Sequence, residues 1–341
     1  MGAAARQLSE RATVLERLKR PWPDHRAERL LGAVSLSVGV AILAMIVFVF
    51  TRAWPIFQHN GLSWLGSGAS LESEIARMNA ATANPTAADY QLRAWPLIYG
   101  TALTTVMAVA LALFISVLAS VFIVELAPAR ISRVVIPVVR LLASIPSVIY
   151  GLIGILVLVP FVENHLISEH ERRSVQGTIQ LTGAGLGVTV VILTIMITPI
   201  MIALICEALQ AVPSSWREGA VALGLNPLRA VRAVTLKAIR PAIVAAAVLA
   251  TARALGEAVM IQMVSGGKSF APNLDHGVPV FLLSPLRTLA SAIVDFREGL
   301  ASPPLKAAIY SFALLLLFAA FSLSIAGYLV KLPLRKYQTR G

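Results

Sequence analysis

Six apolar stretches, each long enough to cross a bilayer, alternate with polar segments along this chain of 341 residues. They run at about Leu30–Phe50, Leu97–Val124, Val134–Phe161, Leu186–Cys206, Ala242–Val264 and Lys306–Val330. About 20 apolar residues suffice for a helix to span the hydrocarbon core. The pattern predicts an all-α integral membrane protein with about six transmembrane helices, its two ends on the same side. Residues 1–29 form a charged N-terminal arm, in which Leu8, Leu15 and Leu18 alternate with Arg11, Lys19 and Arg20 as in a helix lying on a membrane surface. Residues 30–335 form the membrane domain.

Two spans carry marks of their own. In the second, Thr101, Thr105, Ala108, Ala112, Ser116 and Ser120 recur every three or four residues, a small and hydroxylated face that suits close helix packing or a polar path. In the third, Pro137, Pro146 and Pro160 interrupt the run, and Ser144, Ser147, Gly151 and Gly154 share a face around the central proline. Proline in a membrane helix frees a carbonyl that another group must satisfy.

The polar interruption Gln210–Arg240 reads as a helix, a turn and a second helix. Ser215 followed by Glu218 matches a capping box, which predicts a helix start. Gly224 can close that helix in the left-handed conformation, and Asn226-Pro227 supplies a cap and a first-turn proline for the next. In the second helix Leu228, Val231, Thr235 and Ala238 are expected on one face, opposite Arg229, Arg232, Lys237 and Arg240.

Composition agrees: 57% of residues are hydrophobic and 13% charged, where soluble domains carry about a quarter charged. The net charge of +12 is mostly topology. Nineteen Lys and Arg lie in the two tails, Glu125–Arg140 and Gln210–Arg240; nine lie in the opposite-side regions, and Arg253 lies inside a span. The positive-inside rule puts the tails and Gln210–Arg240 in the cytoplasm. The partner this charge implies is the lipid bilayer, with no nucleic acid. The single Cys206 excludes an intrachain disulfide, and the first span reads as a retained helix, not a cleaved signal. The longest external loop, Gly61–Arg93, holds one short helix at about Leu71–Met78 and is too small to capture a substrate alone, so capture belongs to another protein.

Candidate chemistry centres on Arg253. It follows Pro241 by twelve residues, about 18 Å along a helix, near the middle of a hydrocarbon core about 30 Å thick. A central arginine costs about 2.5–3.5 kcal/mol on insertion scales. Glu257, four residues on, can pair with it on the same helical face. The pair either neutralises itself or holds ready a guanidinium whose planar fork suits two oxygens of a tetrahedral oxyanion. Elsewhere, Glu163, His165, Glu169, His170 and Glu171 lack metal-ligand spacing and read as a solvated loop. Gly267-Lys268-Ser269 fails as a phosphate-binding loop because Gln262 stands where its first glycine is required. No cofactor is expected on this chain; any ATP with its Mg belongs to a partner.

Several motifs resemble a known family. Glu218-Gly219-Ala220, then Gly224, Val234 and Leu236, is similar to the EAA loop of ABC-transporter permeases, with Gly219 in place of the first alanine and Lys237 in place of a proline. Ser144-Ile-Pro-Ser-Val-Ile-Tyr-Gly151, Arg253-Ala-Leu-Gly-Glu257-Ala258, Ser284-Pro-Leu-Arg-Thr288-Leu289, and the Trp54-Pro55 and Gly61-Leu-Ser-Trp64 region resemble segments of PstC-type permease subunits of phosphate-specific (Pst) ABC importers. The resemblance spans most of residues 30–330. It implies a fold like that of type I ABC importer permeases and a subunit that performs no bond chemistry. The implied role is to move inorganic phosphate across the bacterial inner membrane by alternating access. Implied partners are a second, PstA-type permease, a PstB-type ATPase dimer and an external PstS-type phosphate-binding protein. The residues implied for the substrate pathway are Arg253, Glu257, Ser144, Ser147 and Tyr150, and for ATPase coupling Ser215, Glu218, Gly219, Ala220 and Gly224. A permease for molybdate or sulfate, or an ion-driven secondary transporter, remains open at this point, although no internal repeat is evident.

Overall fold

The computed structural model describes residues 25–67, 70–175, 177 and 179–335. Most of the expected N-terminal arm, residues 1–24, lies outside the described residues, as do residues 336–341. The chain divides into two compact units, residues 1–48 and 49–341. Helix α1 (His25–Asn60) supplies the described part of the first. There its apolar side chains from Leu30 to Met45 are exposed, a surface suited to lipid.

In chain order the second unit holds α2 (Leu71–Ala80), α3 (Trp95–Val121), α4 (Ala129–Ala143), α5 (Ser147–Ile153), α6 (Val159–His165), α7 (Glu169–Ser174), α8 (Leu186–Gln210), α9 (Ser214–Ala222), α10 (Pro227–Ala230), α11 (Leu236–Ala238), α12 (Arg240–Leu255), α13 (Val259–Val264), α14 (Gly277–Leu283), α15 (Leu289–Asp295) and α16 (Pro303–Arg335). π-helical turns extend α3 over Phe122–Leu126 and join α5 to α6 and α10 to α11. Among the described residues, five helices are long and apolar enough to cross a membrane, or six spans if the bent pair around Ile239 counts as one.

Helix α8 is the hub. It is apolar all round, the pattern of a buried helix, and 67% of its most apolar window is buried against 22–28% for the spans formed by α3, α5–α6 and α16. Helices α3, α4 and α12 all pack on it. The small-residue stripe of α3 is buried throughout, and from Ala108 to Ser120 it faces this hub, while Thr101 accepts from the Leu289 N–H of α15. The Thr194 hydroxyl donates to the Ala108 carbonyl at 3.3 Å, Ser116 Oγ to the Thr198 carbonyl at 3.3 Å, and Ser120 Oγ to the Ile202 carbonyl at 3.4 Å. Close packing, not a polar path, uses that face.

Two expected spans differ from the continuous helices that hydropathy suggests. The stretch Val134–Phe161 breaks at Ser144–Pro146. Pro146 has no N–H to donate and disfavours helical backbone at the residue before it. The spanning helix runs from Ser147 to His165, whereas α4 is a separate amphipathic helix that keeps Pro137 inside it and packs Val135, Ile136 and Val139 near Ile202 and Cys206. The stretch Ala242–Val264 breaks at Gly256–Ala258, between α12 and α13.

A third irregular region is a crossing of three chain segments. The Gly185 N–H donates to the Val264 carbonyl at 3.1 Å, Leu186 N–H to Ser284 at 3.0 Å, and Leu286 N–H to Ser265 at 2.9 Å. Leu186, Ser265, Ser284 and Leu286 are buried, so these bonds satisfy backbone groups that water does not reach. A side chain on Gly185 would lie 2.6 Å from the Leu283 carbonyl oxygen and 2.8 Å from that of Ser284. Gly185→Ala should therefore destabilise the detergent-solubilised protein by about 1–3 kcal/mol. Gly219→Ala, inside α9 with nothing within 4 Å of the added carbon, should leave thermal stability unchanged or raise it by up to about 1 kcal/mol. Melting curves of the two variants check both statements.

Candidate functional site: a broken span and a polar handle

Pro241 occupies the first turn of α12, where a missing N–H costs nothing. Helices α11 and α12 meet at Ile239 with a bend of 64°. Arg253 stands in the last turn of α12, about 20 Å from that bend at 1.5 Å per residue. Its side chain is exposed in the single chain.

The expected Arg253–Glu257 pair does not form. Helix α12 ends at Leu255, and the N–H groups of Gly256 and Glu257 close its last turn onto the Ala252 and Ala254 carbonyls, both at 3.3 Å. The four-residue spacing brings two side chains together only while the helix continues. Glu257 instead turns toward α13, where its Oε1 accepts from the Met260 N–H at 3.3 Å. Among the described residues Arg253 has no ion pair.

The break at Ser144–Pro146 lies beside this one because α5 packs on α13. Gly151 and Gly154 make that approach possible. A side chain at 151 would come within 3.1 Å of Met260 Cα, and one at 154 within 2.5 Å of Val264 Cγ1. Tyr150 is buried, its hydroxyl donating to the Leu142 carbonyl at 3.1 Å across the break. Ser144 Oγ is turned back onto the Leu141 carbonyl at 2.7 Å, and Ser147 is half-buried at the start of α5. Tyr150, Ser144 and Ser147 thus all border the first break, and among the described residues none of them bonds the Arg253 guanidinium.

The polar segment forms a handle. Helix α9 begins at Ser214 after Pro213, with no side-chain cap. The expected capping box of Ser215 and Glu218 is absent because the helix starts two residues early, with Pro213 at the capping position. Ser215 then already has helical backbone and lies beyond the capping position. Gly224 does adopt a left-handed φ of 87°. Its N–H bonds the Val221 carbonyl at 2.9 Å and that of Leu225 bonds Ala220 at 3.2 Å, the paired closure of a Schellman turn. Asn226 Oδ1 caps the next helix by accepting from the Arg229 N–H at 2.8 Å. The π turn at Val231–Thr235 shifts the register, so Val231 and Thr235 are buried but Leu228 is exposed. Ala220 packs inward while Ser215, Glu218 and Gly219 face outward. Trp216, Val221 and Leu228 are exposed as well, and Leu223 is 87% exposed.

Sequence reasoning missed one cavity, of about 580 Å³, whose lining includes Glu72, Arg172, Gln180, Lys268 and Ser269. It shares no residue with the Arg253 group. No group of three metal-ligating side chains occurs among the described residues.

The described residues are those of a polytopic, all-helical membrane protein with a broken, charge-bearing span and an amphipathic handle. The family model for the binding-protein-dependent transport system inner membrane component matches residues 116–332. The chain is 31% identical over 265 residues to the "Probable ABC transporter permease protein YqgH" of Bacillus subtilis (strain 168), covering 78% of each. It is 32% identical over 322 residues to "Phosphate transport system permease protein PstC 2" of Mycobacterium tuberculosis, covering 89% of this chain and 93% of that one. It is 30% identical over 301 residues to the "Probable phosphate transport system permease protein PstC" of Methanocaldococcus jannaschii, covering 85% and 88%. A solved chain of the MetNI methionine ABC transporter, in an inward-facing conformation, is similar at a TM-score of 0.47 and 20% identity over 71% of this chain and 96% of its own. The chain belongs to the binding-protein-dependent transport system inner membrane component family: it is the multi-pass inner-membrane permease of an ABC importer, not an enzyme. Such a system also needs an ATPase and a substrate-binding protein.

Removing the hydroxyl that bridges the first break tests its structural weight. Tyr150→Phe should lower stability by about 1 kcal/mol, the net worth of one hydrogen bond plus the orphaned Leu142 carbonyl, read as a lower melting temperature in detergent.

Proposed function

We propose that this chain is the C-type permease of a phosphate importer, half of a pore completed by a similar A-type permease. Two copies of an ATPase sit on its inner face and an external phosphate-binding protein delivers the anion. Both termini lie in the cytoplasm, as the excess of Lys and Arg on that side favours. The observation that carries the reading is Arg253, a guanidinium deep in a span, without a carboxylate partner among the described residues. An unpaired central arginine is costly in lipid, so this side chain faces the neighbouring permease across a wet passage and meets the anion there. The names of the relatives from Mycobacterium and Methanocaldococcus support phosphate as that anion.

Arg253 offers the charge, Tyr150 closes the neighbouring break, Ser144 and Ser147 border the passage, and Glu257 shapes the second break by accepting from the first turn of α13. The outward residues of α9, Ser215, Glu218 and Gly219, with Ala220 and Gly224 setting their geometry, dock on the ATPase. Exposed Trp216 and Leu223 give that contact apolar area. ATP with Mg is bound and split on the ATPase, and the resulting closure moves the handle and alternates access to Arg253.

Arg253→Ala should abolish phosphate uptake in vesicles, with the complex still assembled. Normal uptake would assign the arginine to structure, and molybdate or sulfate outcompeting phosphate for import would reassign the substrate. Substituting Glu218 or Gly224 should weaken co-purification with the ATPase or raise hydrolysis without transport. Unchanged coupling would count against docking by α9.

A further inference from the structure

Among the described residues a partly buried ion pair, which the sequence did not reveal, also ties the handle to the membrane bundle. Arg217, on α9, donates from Nη1 to Glu125 Oε2 at 2.6 Å across 92 residues of sequence. Glu125 lies in the π turn that extends α3. Its side chain is only 4% exposed, against 29% for Arg217, and its other oxygen, Oε1, is buried with no partner.

This is an inefficient way to hold a loop in place. Apolar contacts already hold the inner end of the bundle, where Val121 and Val124 pack with Leu236 and Ile239. A carboxylate with an orphaned oxygen loses more hydration than one contact restores, and a hydrophobic replacement of such a pair is often as stable or more so. A charged pair is, in contrast, directional and short, and it fixes one register between two elements. Helix α3, to which Glu125 belongs, runs along α8 and touches α12, the helix that ends in Arg253. The Ser132 hydroxyl donates to the Ile123 carbonyl, so the π turn is also tied to the start of α4.

We infer that Glu125 and Arg217 form the rigid link by which movement of α9 is passed to α3 and thence to α12. They are positioning residues, acting on the anion site through other elements. The inference rests on α9 being the ATPase-docking element. On it, breaking the pair leaves α9 docked but slackens its grip on the bundle, so ATP is split without matching import.

The test uses the full complex in proteoliposomes with its binding protein, measuring phosphate import and ATP hydrolysis together. Docking is read from a disulfide between Leu223→Cys and the ATPase, in a Cys206→Ser background that removes the one native thiol. Glu125→Gln and Arg217→Gln should each keep the cross-link and lower phosphate imported per ATP by about tenfold, within the range seen for coupling residues. The double variant should be no worse than either single one, since the two act as a unit, and Glu125→Asp should recover part of the ratio. An unchanged ratio with the cross-link intact overturns the inference, as does loss of the cross-link in the single variants, which would make the pair a brace for α9. Absence of the cross-link in otherwise native complex is a different result: it removes docking by α9, and this link falls with it.

Discussion

Every irregularity in this protein answers one constraint, that a backbone N–H or C=O removed from water must find a partner inside the protein. A permease made only of unbroken helices would meet it without effort. This chain interrupts its helices at Ser144–Pro146, at Gly256–Ala258 and around Gly185, and each interruption is closed differently. Tyr150 spans the first, Glu257 caps the helix after the second, and at the third Val264, Ser284 and Ser265 accept from N–H groups of other segments. The glycine at the third, Gly185, is there because backbone passes backbone too closely for a side chain.

The same constraint explains the fate of Glu257. Ending α12 two residues before it exposes the N–H groups of the next helix, and a carboxylate at that point is taken up by one of them. The arginine is left free of it. Its guanidinium is exposed and has no ion pair among the described residues. The fate of both side chains depends on where a helix stops more than on which residues it contains.

At the other end of α12, the handle takes its shape from little regular structure. A nine-residue helix, a Schellman turn at Gly224 and an asparagine cap define its shape, while burial of Ala220, Val231 and Thr235 seats it. Its outer surface is left with the polar and apolar groups that a partner can grip. The π turns at Phe122–Leu126 and Val231–Thr235 each add a residue to a helical turn and so rotate the neighbouring turns of helix about its axis. One of them turns Glu125 inward, and the other leaves Leu228 outside.

The sequence by itself determined what hydropathy, charge and glycine chemistry govern locally. The helical membrane class, the family motifs, the packing stripe of α3, the left-handed Gly224 and the Asn226 cap were all legible, because each depends on residues within a few positions of one another. The Ser215–Glu218 box, the Arg253–Glu257 pair and the single face of Leu228 were misread for one reason: each assumed a helical register whose start, end or π turn is chosen by packing elsewhere. Only the tertiary structure decided that Gly151 and Gly154 bring the two breaks side by side, and that Arg217 reaches Glu125. Those contacts join segments tens of residues apart, and they are selected by the demand that buried polar groups and charges be matched once the helices have closed around α8.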